Sequence, residues 1–106
     1  MLTRARAFST QALKVVNNVA KQQFVITLQT EAILSYEEKG KVITLIHTDV
    51  PAEFQGKGVG KLLGQHAFDY ALKQKLDVIC KCHFLAKVYQ DNIKKYKNLN
   101  VKLDLD

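Results

Sequence analysis

No stretch of the 106-residue sequence approaches the roughly 20 apolar residues that cross a bilayer as a helix. A membrane-spanning protein of that kind is therefore not expected. Cysteine is scarce: Cys80 and Cys82 are the only two. Two are too few for a disulfide framework, and they suit a reducing compartment. Spaced i,i+2 in one strand, they are also badly placed for a bridge of normal geometry. There is no internal repeat, linker or low-complexity segment, so a single domain is expected.

Acid is missing from the first thirty residues, where the first carboxylate is Glu31. Residues 1–22 carry Arg4, Arg6, Lys14 and Lys21 and are rich in Ser, Thr, Gln and Ala. That composition predicts a mitochondrial targeting or disordered leader over 1–22, with the domain proper over 23–106. Arg6-Ala7-Phe8-Ser9 is similar to the Arg-x-aromatic-Ser site at which such leaders are cut. A floppy basic arm or an ordinary first helix is the plain alternative. The expected location is the mitochondrial matrix, with the cytoplasm as the alternative. Without the leader the formal charge falls from +6 to +2, so the basic balance does not argue for nucleic acid. Lys94, Lys95 and Lys97 cluster without interleaved aromatics and read as a solvated helix face.

What is present begins with β-branched and aromatic runs. Phe24–Leu28 and Glu31–Lys39 read as paired strands. Lys41–Val50 is apolar on both faces, which predicts a strand covered on both sides. Pro51 ends it. Residues 58–75 repeat apolar positions at close to 3.6 spacing, which predicts a helix with Val59, Leu62, Leu63, Ala67, Tyr70 and Ala71 inward. Asp77–Cys82 reads as a fourth strand, parallel to its partner because a strand–helix–strand crossover is right-handed. Phe84–Tyr96 reads as a second helix, with Leu85, Val88, Tyr89 and Tyr96 inward. Val101, Leu103 and Leu105 alternate as a short last strand or a frayed tail. The class is α+β, close to α/β: an antiparallel meander, one parallel strand and two helices on a mixed sheet.

The chemically informative stretch is Gln55-Gly56-Lys57-Gly58-Val59-Gly60-Lys61, where a buried strand gives way to a helix. The first amides of a helix have no partner inside it, and with the dipole they form an anion site. Glycines at 56, 58 and 60 leave the backbone approachable by phosphate, and Lys57 and Lys61 add positive charge. A Walker loop is excluded, because three residues separate Gly56 from Gly60 and Leu62 follows Lys61. The dinucleotide pattern fails as well, since Lys61 and Leu63 stand where a third glycine is needed. A turn without any ligand is the plain alternative.

Gln-x-x-Gly-x-Gly is the pattern that fits. Together with Leu34-Ser35-Tyr36, His47-Thr48-Asp49-Val50-Pro51 and the cysteine strand, it resembles the GNAT superfamily of acetyl-CoA-dependent acyltransferases. Within it the similarity is greatest to the small stand-alone N-acetyltransferase domain-containing protein 1 family, from about Phe24 to Tyr96. The resemblance implies a minimal GNAT fold that binds acetyl-CoA or coenzyme A. It implies that the amides of Gln55, Gly56, Lys57, Gly58, Val59 and Gly60 hold the pyrophosphate. His47, Thr48, Asp49 and Val50 would pair with the pantetheine arm, where the parallel strands splay apart.

Acyl transfer to an amine needs a deprotonated amine, a polarised carbonyl and a stabilised thiolate. By resemblance, the Val50 N–H polarises the carbonyl. Cys82 matches the family's cysteine near the CoA sulfur, as a nucleophile or as part of the sulfur's surroundings; a small core residue is the alternative. His83 points to the opposite face, so His47 is the better candidate base. Tyr89 or Tyr96 can donate to the thiolate. Asp49 and Glu53 are further candidate bases, and His66 reads as a half-exposed packing residue. The family has proline where Cys80 stands, so the strand end is expected to differ in shape. Cys80-x-Cys82-His83 lacks a second cluster at finger spacing, and no metal is expected. The expected activity is acetyl transfer to an amine, on a small molecule or a protein lysine. A catalytically weak CoA-binding module is the alternative. No nucleic-acid or membrane partner is expected, and the chain reads as a monomer or weak dimer.

Overall fold

The computed structural model describes residues 13–27 and 30–105. In chain order the elements are β1 (Val15–Asn18), β2 (Gln23–Thr27), β3 (Glu31–Lys39), β4 (Val42–Asp49), α1 (Val59–Gln74), β5 (Asp77–Cys80), α2 (His83–Asp91) and β6 (Val101–Leu103). A three-residue 3₁₀ turn, Ala52–Phe54, lies between β4 and α1. The strands form one mixed sheet in the order β1-β2-β3-β4-β5-β6. Pairing is antiparallel as far as β4 and parallel for β4–β5 and β5–β6. The meander, the parallel fourth strand and the two helices of the sequence reading are all present. The last strand is real and adds a second parallel pair.

Both crossovers step across the sheet in the same direction, and right-handedness then puts α1 and α2 on the same face. They meet there at a glycine. A Cβ on Gly64 would stand 2.9 Å from Leu85 Cδ2 and 3.2 Å from Val88 Cγ1. The close approach is thus to side chains of α2. Beneath the helices lie the fully buried Leu34, Ile43, Leu45, Leu63, Phe68, Leu85 and Tyr96. Period-2 alternation on β3 supplies its share, with Ala32, Leu34 and Tyr36 buried between exposed or half-buried neighbours.

Four readings are corrected. The segment 1–22 is not leader throughout, because Val15–Asn18 pairs with β2, Val16 opposite Val25 and Asn17 opposite Phe24. Asn17 Oδ1 accepts the Tyr36 hydroxyl at 2.7 Å, and Gln22 Oε1 accepts the Glu38 N–H at 2.6 Å. Residues 13–22 therefore belong to the folded unit. Arg4, Arg6 and the Arg6-Ala7-Phe8-Ser9 site lie outside the described residues, as does Leu28.

Strand β4 is not covered on both sides. Ile43 and Leu45 are buried, while Ile46 is 39% exposed. The apolar run has another cause. Ser35 pairs with His47 but Tyr36 pairs with Leu45, so Ile46 is an extra residue in a β-bulge. The bulge reverses the alternation. Beyond it Thr48 and Val50 are half-buried towards the helices, and His47 and Asp49 are exposed.

Helix α2 ends at Asp91 rather than Tyr96. Asn92 Nδ2 turns back to the Val88 carbonyl at 2.8 Å, and the chain continues as turns. Tyr96 is still buried, and its hydroxyl donates to Asp69 Oδ1 at 2.9 Å. The fourth strand likewise stops at Cys80, not Cys82. Its ladder to β4 closes with the Lys81 N–H on the Leu45 carbonyl at 2.9 Å. From there β4 runs on towards Asp49 paired only with β3, while the β5 chain turns into α2, so β4 and β5 part at the bulge.

Candidate functional site

Where β4 and β5 part, the end of β4, the 50–58 loop and the first turns of both helices enclose a cavity of about 500 Å³. Its walls are Thr48, Val50, Phe54, Gln55, Gly56, Gly58, Val59, Gly60, Lys61 and Phe84. Three local causes shape it. Pro51 and the 3₁₀ turn swing the chain off the sheet and bury Phe54 as an anchor. Gln55 Nε2 then donates to the Val50 carbonyl at 3.0 Å, tying the loop to the strand end. Gly56 and Gly58 take φ of +79° and +80°, a left-handed backbone that side chains resist.

Gly58 caps α1 without a side-chain hydrogen bond. The first i→i−4 bond of the helix is the Leu62 N–H on the Gly58 carbonyl, at 3.0 Å. The amides of Val59, Gly60 and Lys61 precede it and have no carbonyl within the helix to bind. The positive end of the helix dipole points the same way. A Cβ on Gly56 would meet nothing within 4 Å, so this backbone faces open space. Lys61 is the one ionisable side chain among the lining residues. A bare helix end, a lysine and an open cavity together suit an anionic group.

Gly60 also has a packing role. A Cβ there would lie 3.0 Å from Phe84 Cε2 and 3.1 Å from Cζ. Its missing side chain makes room for an aromatic ring of α2.

Of the residues read from the sequence as cofactor-binding, Thr48, Val50, Gln55, Gly56, Gly58, Val59 and Gly60 line the cavity. His47, Asp49 and Lys57 are exposed and do not. The three candidate catalytic residues are not brought together. His47 lies on the far face of the sheet, turned there by the bulge. Tyr89 packs its ring on Phe68, centroids 5.7 Å apart, away from the lining. Cys82 is half-buried at the N-cap of α2, one layer behind the wall, its Sγ 4.0 Å from Thr48 Oγ1.

Cys80 is fully buried; burial pushes its thiol pKa up, and Sγ donates to the Cys82 carbonyl at 3.4 Å. Tyr96 is held protonated by burial and by its bond to Asp69, far from the cavity. Glu53 is exposed on the 3₁₀ turn, and His66 is exposed on α1 beside Asn17 and Tyr70. Among the described residues no three His, Cys, Asp or Glu side chains group as a metal site. No helix among them is long and apolar enough to cross a membrane.

The sequence reading does not mark Phe54 and Phe84 as site residues. An aromatic immediately before the glycine loop was the signal for Phe54. For Phe84 the signal was its position off the inward face marked by Leu85 and Val88.

A family model described as GCN5-related N-acetyl-transferase matches residues 23–99. The protein NATD1 of Homo sapiens is 30% identical over 84 residues, covering 76% of this chain and 74% of its own length. That of Xenopus tropicalis is 31% identical over 85 residues, covering 76% and 78%. That of Danio rerio is 31% identical over 84 residues, covering 76% of each. The family match starts at the first residue of β2 and runs past α2, through the bulge, the glycine turn and every wall of the cavity. By that span, the chain belongs to the GCN5-related N-acetyltransferase family.

Proposed function

We propose that the cavity binds coenzyme A, with acetyl-CoA as donor, and that the protein transfers acetyl to an amine of a small molecule or a protein lysine. The observation that carries this reading is the Gly58-capped end of α1, opening with Lys61 onto a cavity of about 500 Å³. The fit to a diphosphate rests on Gly56, whose Cα faces open space, and on the helix amides that have no internal partner. In this reading the amides from Gly56 to Gly60 and the Lys61 ammonium hold the diphosphate. The exposed edge of β4 at Thr48 and Val50 holds the amide-bearing arm. The Val50 N–H polarises the carbonyl, and Cys82, behind Thr48, is a nucleophile or part of the sulfur's surroundings. When bound, acetyl-CoA supplies an activated thioester.

Calorimetric and thermal titration with CoA tests the pocket. At a hundredfold excess over Kd, wild type is expected to gain about 2.7 kcal/mol of stability. Gly58→Val, which strains the cap and fills the backbone cradle, is expected to gain far less. Wild type that neither binds CoA nor shifts its unfolding would sink the proposal.

A second reading, a CoA-binding module with weak catalysis, draws on the position of His47 and Tyr89 outside the lining and on Lys61 as its one ionisable side chain. Release of CoA thiol across a panel of amines separates the two. Turnover with any amine favours the enzyme, and tight binding without turnover favours the module.

The mitochondrial address is proposed from Arg4, Arg6 and Arg6-Ala7-Phe8-Ser9. A fluorescently tagged protein without residues 1–12 is expected to lose import. Unchanged import would count against it.

A further inference from the structure

We infer that Phe84 is a ligand-binding residue of the cavity, its ring forming the surface on which the pantetheine arm of CoA rests. This rests on the CoA reading and adds to it a contact outside the glycine motif. Phe84 is 44% exposed, although it stands in the first turn of a helix whose next two residues, Leu85 and Ala86, are buried. Its exposed ring lines the cavity together with Thr48 and Val50. The ring also has packing neighbours. Cε2 and Cζ occupy the space that a side chain on Gly60 would take, and Val50 Cγ2 stands 3.4 Å from the same point.

The cavity therefore has two chemically different walls, which meet at Gly60. One is the bare, positive end of α1 beside Lys61. The other is apolar, made by Phe84, Val50 and the methyl-bearing Thr48. A ligand that covers both is anionic at one end and carries a slim, largely apolar chain at the other. Covering an exposed aromatic ring removes apolar surface from water. A ring already packed beside Gly60 loses less side-chain freedom when it is covered than a free one would. Phe84 thus discriminates by the arm of the ligand, while the amides and Lys61 discriminate by its charge.

Titration calorimetry of wild type, Phe84→Leu and Phe84→Ala with two probes tests the division. The probes are CoA and 3′-phospho-ADP, which keeps the diphosphate and lacks the arm. The side chain is half-exposed, so both variants are expected to fold, and circular dichroism checks this. Phe84→Ala is expected to weaken CoA about tenfold and Phe84→Leu less, the loss scaling with apolar area removed. Affinity for 3′-phospho-ADP is expected to fall much less than affinity for CoA, because that probe is held by charge and main-chain amides and lacks the arm that the ring would cover. Equal loss for both probes, or no loss for CoA, overturns the role of Phe84 and leaves CoA binding standing. Wild type that binds neither probe overturns the CoA reading, and the role of Phe84 with it.

Discussion

Thr48 Oγ1 lies 4.0 Å from Cys82 Sγ, across the gap where β4 leaves β5. Thr48 belongs to the cavity wall, so the thiol sits just behind it, half-buried at the start of α2. Cys80, two residues earlier, is sealed in the core, where burial holds its thiol pKa up. Thiolate fraction and access both control alkylation. Iodoacetamide at mildly alkaline pH is expected to modify Cys82 at least about tenfold faster than Cys80. CoA is expected to slow the Cys82 reaction. Peptide mass spectrometry reads both sites, and equal rates at the two would contradict the placement.

Gly64 is where α1 and α2 touch. Alanine there gains about 1 kcal/mol of helix propensity but forces a methyl into Leu85 and Val88, and overpacking costs about 1–3 kcal/mol. The expected net result for Gly64→Ala is a loss of about 1 kcal/mol in urea unfolding. Gly64→Val is expected to lose more than about 3 kcal/mol, since it adds bulk without the propensity gain. A Gly64→Ala protein more stable than wild type would show that the helices can move apart at little cost.

The contribution of β1 is measurable by truncation. A chain beginning at residue 23 loses the strand and leaves the buried Tyr36 hydroxyl without Asn17 Oδ1. An unsatisfied buried hydroxyl alone costs about 1–3 kcal/mol. Relative to a chain beginning at residue 13, the shorter one is expected to be less stable by at least about 2 kcal/mol in urea. Equal stability would mean that β1 is an ornament on the sheet.

Much of this architecture is visible in the residues. Three glycines alternating after a β-branched strand mark the turn, and the 3.6 spacing from Val59 marks α1. Strand–helix–strand order fixes the parallel pair. Other features are masked by stronger local signals. Val15–Asn18 is a short strand set among basic, acid-free residues, and that composition speaks for a leader. The apolar run Val42–Ile46 imitates a strand buried on both sides, because a bulge leaves no mark in composition. With the bulge unseen, the outward turn of His47 is not legible either. The packing role of Gly60 is not legible, because the ring it accommodates lies far along the chain, beyond α1 and β5.

Alkaline pH reports on a second polar contact. Tyr70 donates to Glu38 Oε1 at 2.7 Å, and that bond, aided by burial, pushes its pKa up to about 12. In the unfolded chain tyrosine titrates near about 10. Between those values the folded protein keeps a proton that the unfolded one has lost. The stabilisation is thus complete below about pH 10 and is lost as pH rises through about 12. Tyr36 and Tyr96 shift the same way and steepen the fall. The urea midpoint is expected to drop over this window, and less steeply in Tyr70→Phe. Identical slopes for the two proteins would mean that the bond does not persist in solution.

Ile46 acts as a phase shifter for everything that follows it in β4. Were the bulge ironed out with Ile46 kept in the ladder, an unbroken two-residue period would run through β4, and Thr48 and Val50 would exchange faces with His47 and Asp49. The cavity would then present an imidazole and a carboxylate where a hydroxyl and a methyl now stand. One extra residue in one strand thereby decides which chemistry the pocket contains.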